Sequence, residues 1–126
     1  MSDDDNRAIV IIDHGSRRPE ANKLVAQVAE DLRLLKPGVR VHIAHMEIEP
    51  PTLADALAAC AREGAREVVV HPFFLAPGMH SRETIAEQVA EAQPDHPDLR
   101  VVITDPLGPH EKLAQIVRDR IDASVD

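Results

Sequence analysis

Four short apolar segments alternate along the chain with four segments in which apolar residues recur at helical spacing. Residues 8–12 form a continuous and largely β-branched run, which is typical of a strand buried on both faces. Residues 68–70 are a second such run, residues 39–43 alternate apolar with polar side chains, and residues 99–103 are intermediate. The pattern therefore predicts that the first and third strands are central and that the second and fourth lie at the edges.

The segments between the strands carry the apolar stripes of amphipathic helices. Turn residues mark their limits, since Pro37 and Gly38 follow the first helix and Gly64 follows the second, while Ser81 is predicted to cap the third. The four stripes consist of Leu24, Val28, Leu32 and Leu35, then Leu53, Leu57, Cys60 and Ala61, then Ile85 and Val89, and finally Leu113, Ile116, Val117 and Ile121.

Strands and helices that alternate in this way predict a parallel sheet with helices on both faces and right-handed connections. With the two most apolar strands at the centre, the strand order is 2-1-3-4, so the fold class is α/β, a flavodoxin-like three-layer sandwich. The chain has 126 residues, a length that fits one domain. We predict an acidic, disordered tail over residues 1–7 and a single α/β domain over residues 8–126.

Charge and composition narrow the choice of partners and location. The chain has 14 Lys and Arg against 22 Asp and Glu, a formal net charge of −8, and no basic run, so nucleic acid and anionic membranes are poor partners. No apolar stretch approaches the roughly 20 residues of a membrane span, and the acidic first residues are unlike a targeting peptide. The single cysteine, Cys60, is predicted to be a core thiol, and the lack of an internal disulfide favours the cytoplasm.

The residues that could bind a ligand or catalyse a reaction are concentrated in the segments that follow the strands. In open α/β sheets, ligands bind beyond the carboxyl ends of the strands, where the strand order reverses, and here the order reverses between the first and third strands. Histidines or carboxylates follow all four strands, in residues 13–18, 45–51, 71–80 and 104–110. The sequence therefore predicts a polar ligand site at this edge of the sheet.

His14, Glu47 and His80 are the strongest candidates for a metal site at this edge. Taken singly, each has an ordinary structural explanation: a turn histidine, a solvated carboxylate and a histidine near a helix N-terminus. Taken together, two neutral imidazoles and one carboxylate suit a divalent first-row metal with open coordination positions. Such a ligand set accepts Fe²⁺, Co²⁺, Ni²⁺ and Zn²⁺ and does not choose among them.

The remaining histidines are less informative. His42 and His96 are predicted to be solvated. His45, His71 and His110 are predicted to lie near the edge of the site. Three roles stay open for them: contact with the site residues, contact with the substrate, or no role in the site. The glycine-rich motifs of nucleotide-binding loops are missing from the sequence, so a nucleotide cofactor has no support.

Four segments at the strand ends keep a characteristic order and spacing: residues 11–18 (IIDHGSRR), 44–47 (AHME), 72–80 (PFFLAPGMH) and 106–110 (PLGPH). They resemble the short CbiX/SirB-type class II chelatases, which insert a divalent metal into the tetrapyrrole sirohydrochlorin. The likeness runs from the first strand through the fourth helix and is closest to the plant-type sirohydrochlorin ferrochelatases. It implies a chelatase-type half of the larger fold.

The resemblance implies that His14 and His80 bind the metal and are catalytic, with Glu47 as the accompanying carboxylate. Chelation must remove two pyrrolic protons, which neutral imidazoles can accept near pH 7. It implies no permanent cofactor: the divalent metal, Co²⁺ or Fe²⁺ with Ni²⁺ left open, is a substrate together with sirohydrochlorin. Cobalamin and sirohaem biosynthesis both remain open. Because longer family members contain two such units facing a cleft, a single unit is expected to form a homodimer.

Positive side chains flank the two histidines and could bind the carboxylates of sirohydrochlorin. Arg17, Arg18 and Arg82 are charge-assisted donors of the kind that carboxylates favour, and Ser16 completes the predicted substrate-binding set. The chain departs from the family at the start of the third helix, where an acidic residue is replaced by Thr84. Thr84 is therefore assigned no role.

Two other function classes share features with this sequence. Histidine phosphatases also place a His-Gly pair after the first strand, but they have an arginine directly before the histidine, where this chain has Asp13. A non-catalytic metal or tetrapyrrole carrier would use the same histidines without turnover. Metal insertion is the expected function, and the carrier is the alternative.

Overall fold

In the computed structural model, which describes residues 6–76 and 78–125, four parallel strands form one sheet in the order β2-β1-β3-β4. The α/β fold class and the strand order are those that the sequence predicts. The strands are β1 (Arg7–Asp13), β2 (Arg40–His45), β3 (Glu67–Pro72) and β4 (Arg100–Ile103). The helices are α1 (Pro19–Leu35), α2 (Leu53–Arg62), α3 (Met79–Ala92) and α4 (Glu111–Ser124), with a short 3-10 helix at Gln93–Asp95.

The N-terminal boundary differs slightly from the predicted one. Residues 1–7 are predicted to form a tail, but Arg7 is the first residue of β1 and its guanidinium pairs with the Glu67 carboxylate at 2.7 Å. Residues 1–5 lie outside the described residues, so the disorder of the tail remains a prediction.

The two faces of the sheet are covered unequally. On one face, α2 and α3 pack against β1 and β3 in the larger core cluster, which includes Val10, Leu57 and Ile85. On the other face, α1 packs against β1 and β2 through Val25 and Ala29. Helix α4 covers neither face in the part of the chain that the structure describes, and none of its described residues is buried.

The exposed position of α4 overturns one detail of the predicted sheet. The sequence predicts that residues 68–70 are buried on both faces. Val68 and Val70 are fully buried against α2 and α3, whereas Val69, which faces the other way, is partly exposed. The prediction is wrong at Val69 because helix α4, in the part of the chain that the structure describes, does not pack over this part of the sheet.

Cys60 lies in the larger core cluster and is 0% exposed, as predicted. Burial, with a smaller contribution from the nearby Glu63 carboxylate, raises the pKa of its thiol to about 12. The thiol is therefore protonated at neutral pH and acts as an apolar core group.

The helix starts show where the sequence signals succeed and where they mislead. At α2, Thr52 and Asp55 form a capping box, in which each side chain accepts a hydrogen bond from the backbone of the other. The prediction that Ser81 caps α3 is wrong, because α3 begins at Met79 and its N-terminal cap residue is Gly78. Ser81 is instead in the first turn, nearly buried, and faces β1.

None of the helices in the described ranges is both long and apolar enough to cross a membrane.

Candidate active site

The site is framed by a pair of hydrogen-bonded side chains at the ends of β1 and β2, one of them buried and the other partly buried. Asp13 and His45 occupy paired positions in the two parallel strands. The Nδ1–H of His45 donates to Asp13 Oδ1 at 2.5 Å, and His45 is only 3% exposed. The same carboxylate oxygen accepts a hydrogen bond from the Gly15 amide at 3.1 Å. One carboxylate therefore fixes both the His45 ring and the turn that contains His14.

Backbone hydrogen bonds join the loop after β1 to the loop after β2. The amide of Met46 donates to the Asp13 carbonyl at 2.8 Å, and the amide of Glu47 donates to the His14 carbonyl at 3.1 Å. The pairing of β1 with β2 thus continues for two residues beyond the strands. It places the backbones of the predicted site residues His14 and Glu47 side by side.

Gly15 is required at this junction for two reasons. Its φ is +89°, a backbone conformation that L-residues with side chains rarely adopt. A Cβ added to Gly15 would also lie 2.0 Å from the Glu47 carbonyl oxygen. Only glycine therefore allows the two loops to approach this closely.

Backbone strain follows immediately after Glu47. Ile48 has a φ of +75° although it is β-branched, and it is exposed. Such a conformation costs a non-glycine residue about 1–2 kcal/mol. The amide of Glu49 donates to the Glu47 carbonyl at 2.8 Å, which closes a tight turn around Ile48. The exposed Glu47 side chain is therefore presented from a constrained loop.

The His14 imidazole is exposed and lies between β1 and α3. Its ring centroid is 4.5 Å from that of Phe74, with the ring planes tilted by 43°. Its Nε2 atom is 3.5 Å from the Ser81 hydroxyl in the first turn of α3. His80 immediately precedes Ser81 in the same turn, so the backbones that carry the two predicted metal-binding histidines meet at this edge.

The structure describes the side chains of only part of the predicted metal-ligand set. Over residues 6–76 and 78–125, no group of three or more His, Cys, Asp or Glu side chains is arranged to hold a metal ion. The side chain of His80 is outside what the structure describes. The set of His14, His80 and Glu47 therefore remains a prediction, supported by the placement of the His14 and Glu47 backbones and by the position of His80 in α3.

The predicted substrate-binding residues lie around His14. Asn22 holds the backbone of Ser16 by two hydrogen bonds, accepting from the Ser16 amide at 2.9 Å and donating to its carbonyl at 2.7 Å. The Ser16 hydroxyl oxygen accepts a hydrogen bond from the Arg18 amide at 3.0 Å. Arg17 and Arg18 are exposed, and Arg82 is exposed in the first turn of α3. None of these three guanidinium groups forms an ion pair with another described residue.

A cavity of about 200 Å³ opens beside His14, between α3 and the loop after β4. Two of its lining residues, Phe74 and Ser81, also contact His14. Most of the lining is apolar, and Arg82 and Asp105 supply its charged groups. The cavity can therefore accept an apolar ligand group whose anionic substituent reaches Arg82.

Two of the histidines left open by the sequence serve as structural partners. The Nδ1–H of His71 donates to the Thr104 hydroxyl oxygen at 2.8 Å, and that hydroxyl donates to the Asp105 carbonyl at 2.9 Å. Burial lowers the pKa of His71 below its ordinary value of 6.5. His110 caps α4, because its Nδ1 accepts a hydrogen bond from the Lys112 amide at 3.1 Å.

His42 differs from its prediction as a solvated side chain. Its Nε2 lies 2.7 Å from the Glu63 carboxylate at the end of α2, and the His42 side chain is partly covered. His96 is partly exposed in the segment before β4. Of the histidines on the strand-end segments whose side chains are described, His14 is the one that is exposed at the β1–α3 junction beside the cavity.

Comparison with known proteins places these features in a family context. The family model described as CbiX matches residues 8–124. A chloroplastic sirohydrochlorin ferrochelatase from Arabidopsis thaliana is 40% identical over 117 residues, which are 93% of this chain and 52% of the plant protein. A sirohydrochlorin cobaltochelatase from Methanopyrus kandleri is 30% identical over 134 residues, covering 90% of this chain and 94% of that protein.

Solved structures share the fold. The sirohydrochlorin chelatase SirB from Bacillus subtilis subspecies spizizenii, in complex with cobalt, superposes with a TM-score of 0.86 at 27% identity, covering 94% of this chain and 50% of SirB. SirB from Bacillus subtilis with Fe³⁺ also gives a TM-score of 0.86, at 26% identity, covering 96% of this chain and 48% of that one. The chain thus spans about half the length of the plant and Bacillus proteins and nearly all of the Methanopyrus protein.

Proposed function

The chain belongs to the CbiX family, and on that premise we propose that it inserts Co²⁺ or Fe²⁺ into sirohydrochlorin. The observation that carries the proposal is the exposed His14 imidazole, held at the carboxyl edge of the sheet by the Asp13–His45 pair and the two joined loops. An exposed imidazole on a backbone fixed by hydrogen bonds, beside a largely apolar cavity, suits the binding of a metal next to a macrocycle.

In the proposed reaction, His14 and His80 bind the incoming metal ion through neutral imidazole nitrogens. The metal exchanges these ligands for the four ring nitrogens of sirohydrochlorin, and the two pyrrolic protons pass to the imidazoles that are released. The Glu47 carboxylate offsets the charge of the ion. Holding the ring and the ion at one site makes the exchange effectively unimolecular.

Arg17, Arg18 and Arg82 are proposed to bind the carboxylates of sirohydrochlorin, with Ser16 as a further polar contact. The chain carries a net charge of −8, so an anionic substrate needs local positive groups to offset the long-range repulsion. The three guanidinium groups border the His14 loop and the cavity, and none of them forms an ion pair with a carboxylate of the described residues.

We further propose that the enzyme acts in the cytoplasm as a homodimer, with the metal and sirohydrochlorin as its only small-molecule partners and no permanent cofactor. The similar length of the Methanopyrus cobaltochelatase supports activity by a chain of this size. Nucleic acid and membranes remain unexpected partners because of the acidic net charge. Cobalamin and sirohaem biosynthesis are both compatible with the cobalto- and ferrochelatases among the relatives.

The test is an anaerobic insertion assay with purified protein. Sirohydrochlorin is mixed with Co²⁺, Fe²⁺ or Ni²⁺, and the visible spectrum is followed with and without protein. The proposal predicts an initial rate well above the spontaneous rate for Co²⁺ or Fe²⁺, saturable in both substrates. Binding of the metal and the ring without any rate enhancement would contradict the proposal and identify the protein as a carrier.

A further inference from the structure

A glutamine of α3 is hydrogen-bonded to the loop that carries Glu47. The Gln88 side-chain amide donates from Nε2 to the Met46 carbonyl at 3.0 Å, across 42 positions of the chain. The Met46 carbonyl and the Glu47 amide belong to one peptide group, and that amide donates to the His14 carbonyl at 3.1 Å. The peptide group before Glu47 is therefore held from two sides, by α3 and by the loop after β1.

Helix α3 contacts the loops after both β1 and β2. In its first turn, Ser81 lies 3.5 Å from the Nε2 atom of His14. Gln88 follows about two helical turns later on the same side of the helix, since 3.6 residues make one turn. His80 is in that first turn as well. A shift of the loop after β2 relative to α3 would therefore change the position of Glu47 relative to both histidines.

The loop that Gln88 holds contains a strained residue. Ile48, directly after Glu47, has a φ of +75°, and a β-branched residue keeps such a conformation only where the surrounding structure fixes it. Two of the hydrogen bonds that fix it join the Glu49 amide to the Glu47 carbonyl and Gln88 to the Met46 carbonyl. Without the second bond, we expect relaxation at Ile48 to move the Glu47 carboxylate.

Stability alone does not account for a glutamine at position 88. The Oε1 atom of Gln88 is buried and has no hydrogen-bond partner among the residues that the structure describes, which costs free energy in the folded state. Ile85 and Val89 of the same helix belong to the larger core cluster or pack against it. A methionine would fill a similar volume beside them without burying an unpaired oxygen. Compared with methionine, the glutamine adds the hydrogen bond to Met46.

We propose that Gln88 is a positioning residue for the metal site, because its hydrogen bond to the Met46–Glu47 peptide group fixes the Glu47 carboxylate relative to α3. Gln88 touches neither the metal nor the ring in this role and acts through Glu47. The inference rests on the proposed function, which assigns Glu47 to the metal. Replacing a group that orients a metal ligand typically weakens metal binding by roughly 10–100-fold, and a backbone anchor is expected at the lower end of that range.

The first test measures Co²⁺ binding to the full chain without sirohydrochlorin, using the visible absorption of the bound ion. Gln88→Met is expected to keep the urea midpoint of the wild type and to raise the Kd for Co²⁺ about tenfold. Gln93→Met is the matched control, because the Gln93 amide also donates to backbone carbonyls, those of His96 and Leu99 beyond the end of α3. Gln93→Met is expected to keep the wild-type Kd.

Three results would contradict this role of Gln88. The first is a Gln88→Met protein that binds Co²⁺ as tightly as the wild type, and the second is an equal loss of affinity in Gln93→Met. The third is a clearly lower urea midpoint for Gln88→Met, because folding would then account for the glutamine. All three leave the proposed function standing, whereas a wild-type protein that does not bind Co²⁺ would overturn the proposed function and this inference together.

The second test determines whether Gln88 acts through Glu47. In a Glu47→Gln background, Gln88→Met is expected to change the Kd for Co²⁺ by less than about twofold, because the effects of coupled residues are not additive. In the insertion assay, Gln88→Met alone is expected to raise the KM for Co²⁺ and to leave the KM for sirohydrochlorin unchanged. An equal loss of Co²⁺ affinity in both backgrounds, or an equal rise in both KM values, would overturn the inference.

Discussion

At the scale of single residues, the site depends on groups that do not touch the metal or the ring. Asp13 links the His45 ring to the Gly15 amide, and the Gly15 position lets the His14 and Glu47 backbones meet. The sequence indicates His14 and Glu47 as site residues but leaves the role of His45 open. The reason is the length of the second strand. The sequence predicts that this strand ends at residue 43, whereas β2 continues to His45, directly opposite Asp13.

Gly15→Ala is expected to disrupt the site, and Gly64→Ala provides a matched control. Both glycines have a φ of +89°, so both substitutions carry the left-handed strain of about 1–2 kcal/mol. Only at Gly15 does the new Cβ collide with the Glu47 carbonyl, since nothing lies within 4 Å at Gly64. Urea unfolding should show destabilisation in both variants, and the insertion assay should show a loss of at least tenfold only for Gly15→Ala. Equal activity in the two variants would argue against the joined loops as the frame of the site.

His71 is expected to make stability depend on pH below about 6.5. Burial lowers the pKa of His71 in the folded state below its ordinary value of 6.5, so in this range the unfolded chain binds a proton that the folded chain does not. The free energy of unfolding should therefore fall as the pH drops below 6.5, by up to about 1.4 kcal/mol per pH unit from this group. Urea unfolding at one protein concentration should show a shallower fall for His71→Gln than for wild type. His96→Gln corrects for the loss of an imidazole elsewhere, and an unchanged slope in His71→Gln would contradict the prediction.

At the scale of helices and strands, hydrophobic periodicity predicts all four strands and all four helices in the observed order. Local signals are less reliable at the ends, as Ser81 shows. A serine near the start of a helix resembles a cap in sequence, but α3 starts two residues earlier at Met79. Periodicity also predicts the apolar stripe of α4 without indicating which surface it packs on, because that depends on the path of the preceding loop.

The capping box at the start of α2 is expected to contribute measurable stability. Replacing Thr52 by Ala removes the acceptor for the Asp55 amide, which should cost about 1 kcal/mol in the free energy of unfolding. Thr52→Ser retains the hydroxyl and should remain within a few tenths of a kcal/mol of wild type. Urea unfolding measures both, and equal stability of the two variants would show that the capping hydrogen bond contributes little.

At the scale of the whole molecule, the site is a product of topology. The order β2-β1-β3-β4 brings the segments after β1, β2 and β3 to one edge, so His14, Glu47 and the first turn of α3 converge although they are far apart in sequence. The sequence predicts this edge because the apolarity of each strand indicates whether it is central. The sequence does not predict that part of one sheet face is exposed, because the apolar stripe of a helix does not indicate which surface the helix packs on.

The central claim is that His14 and His80 together carry metal insertion. The most direct measurement is the initial rate of anaerobic Co²⁺ or Fe²⁺ insertion into sirohydrochlorin by His14→Ala and His80→Ala, with His96→Ala as a control of the same chemical type. Both site variants are expected to remain folded and to fall to the spontaneous rate, while His96→Ala is expected to keep the wild-type rate. A folded His14→Ala or His80→Ala variant that still inserts metal above the spontaneous rate would contradict the central claim.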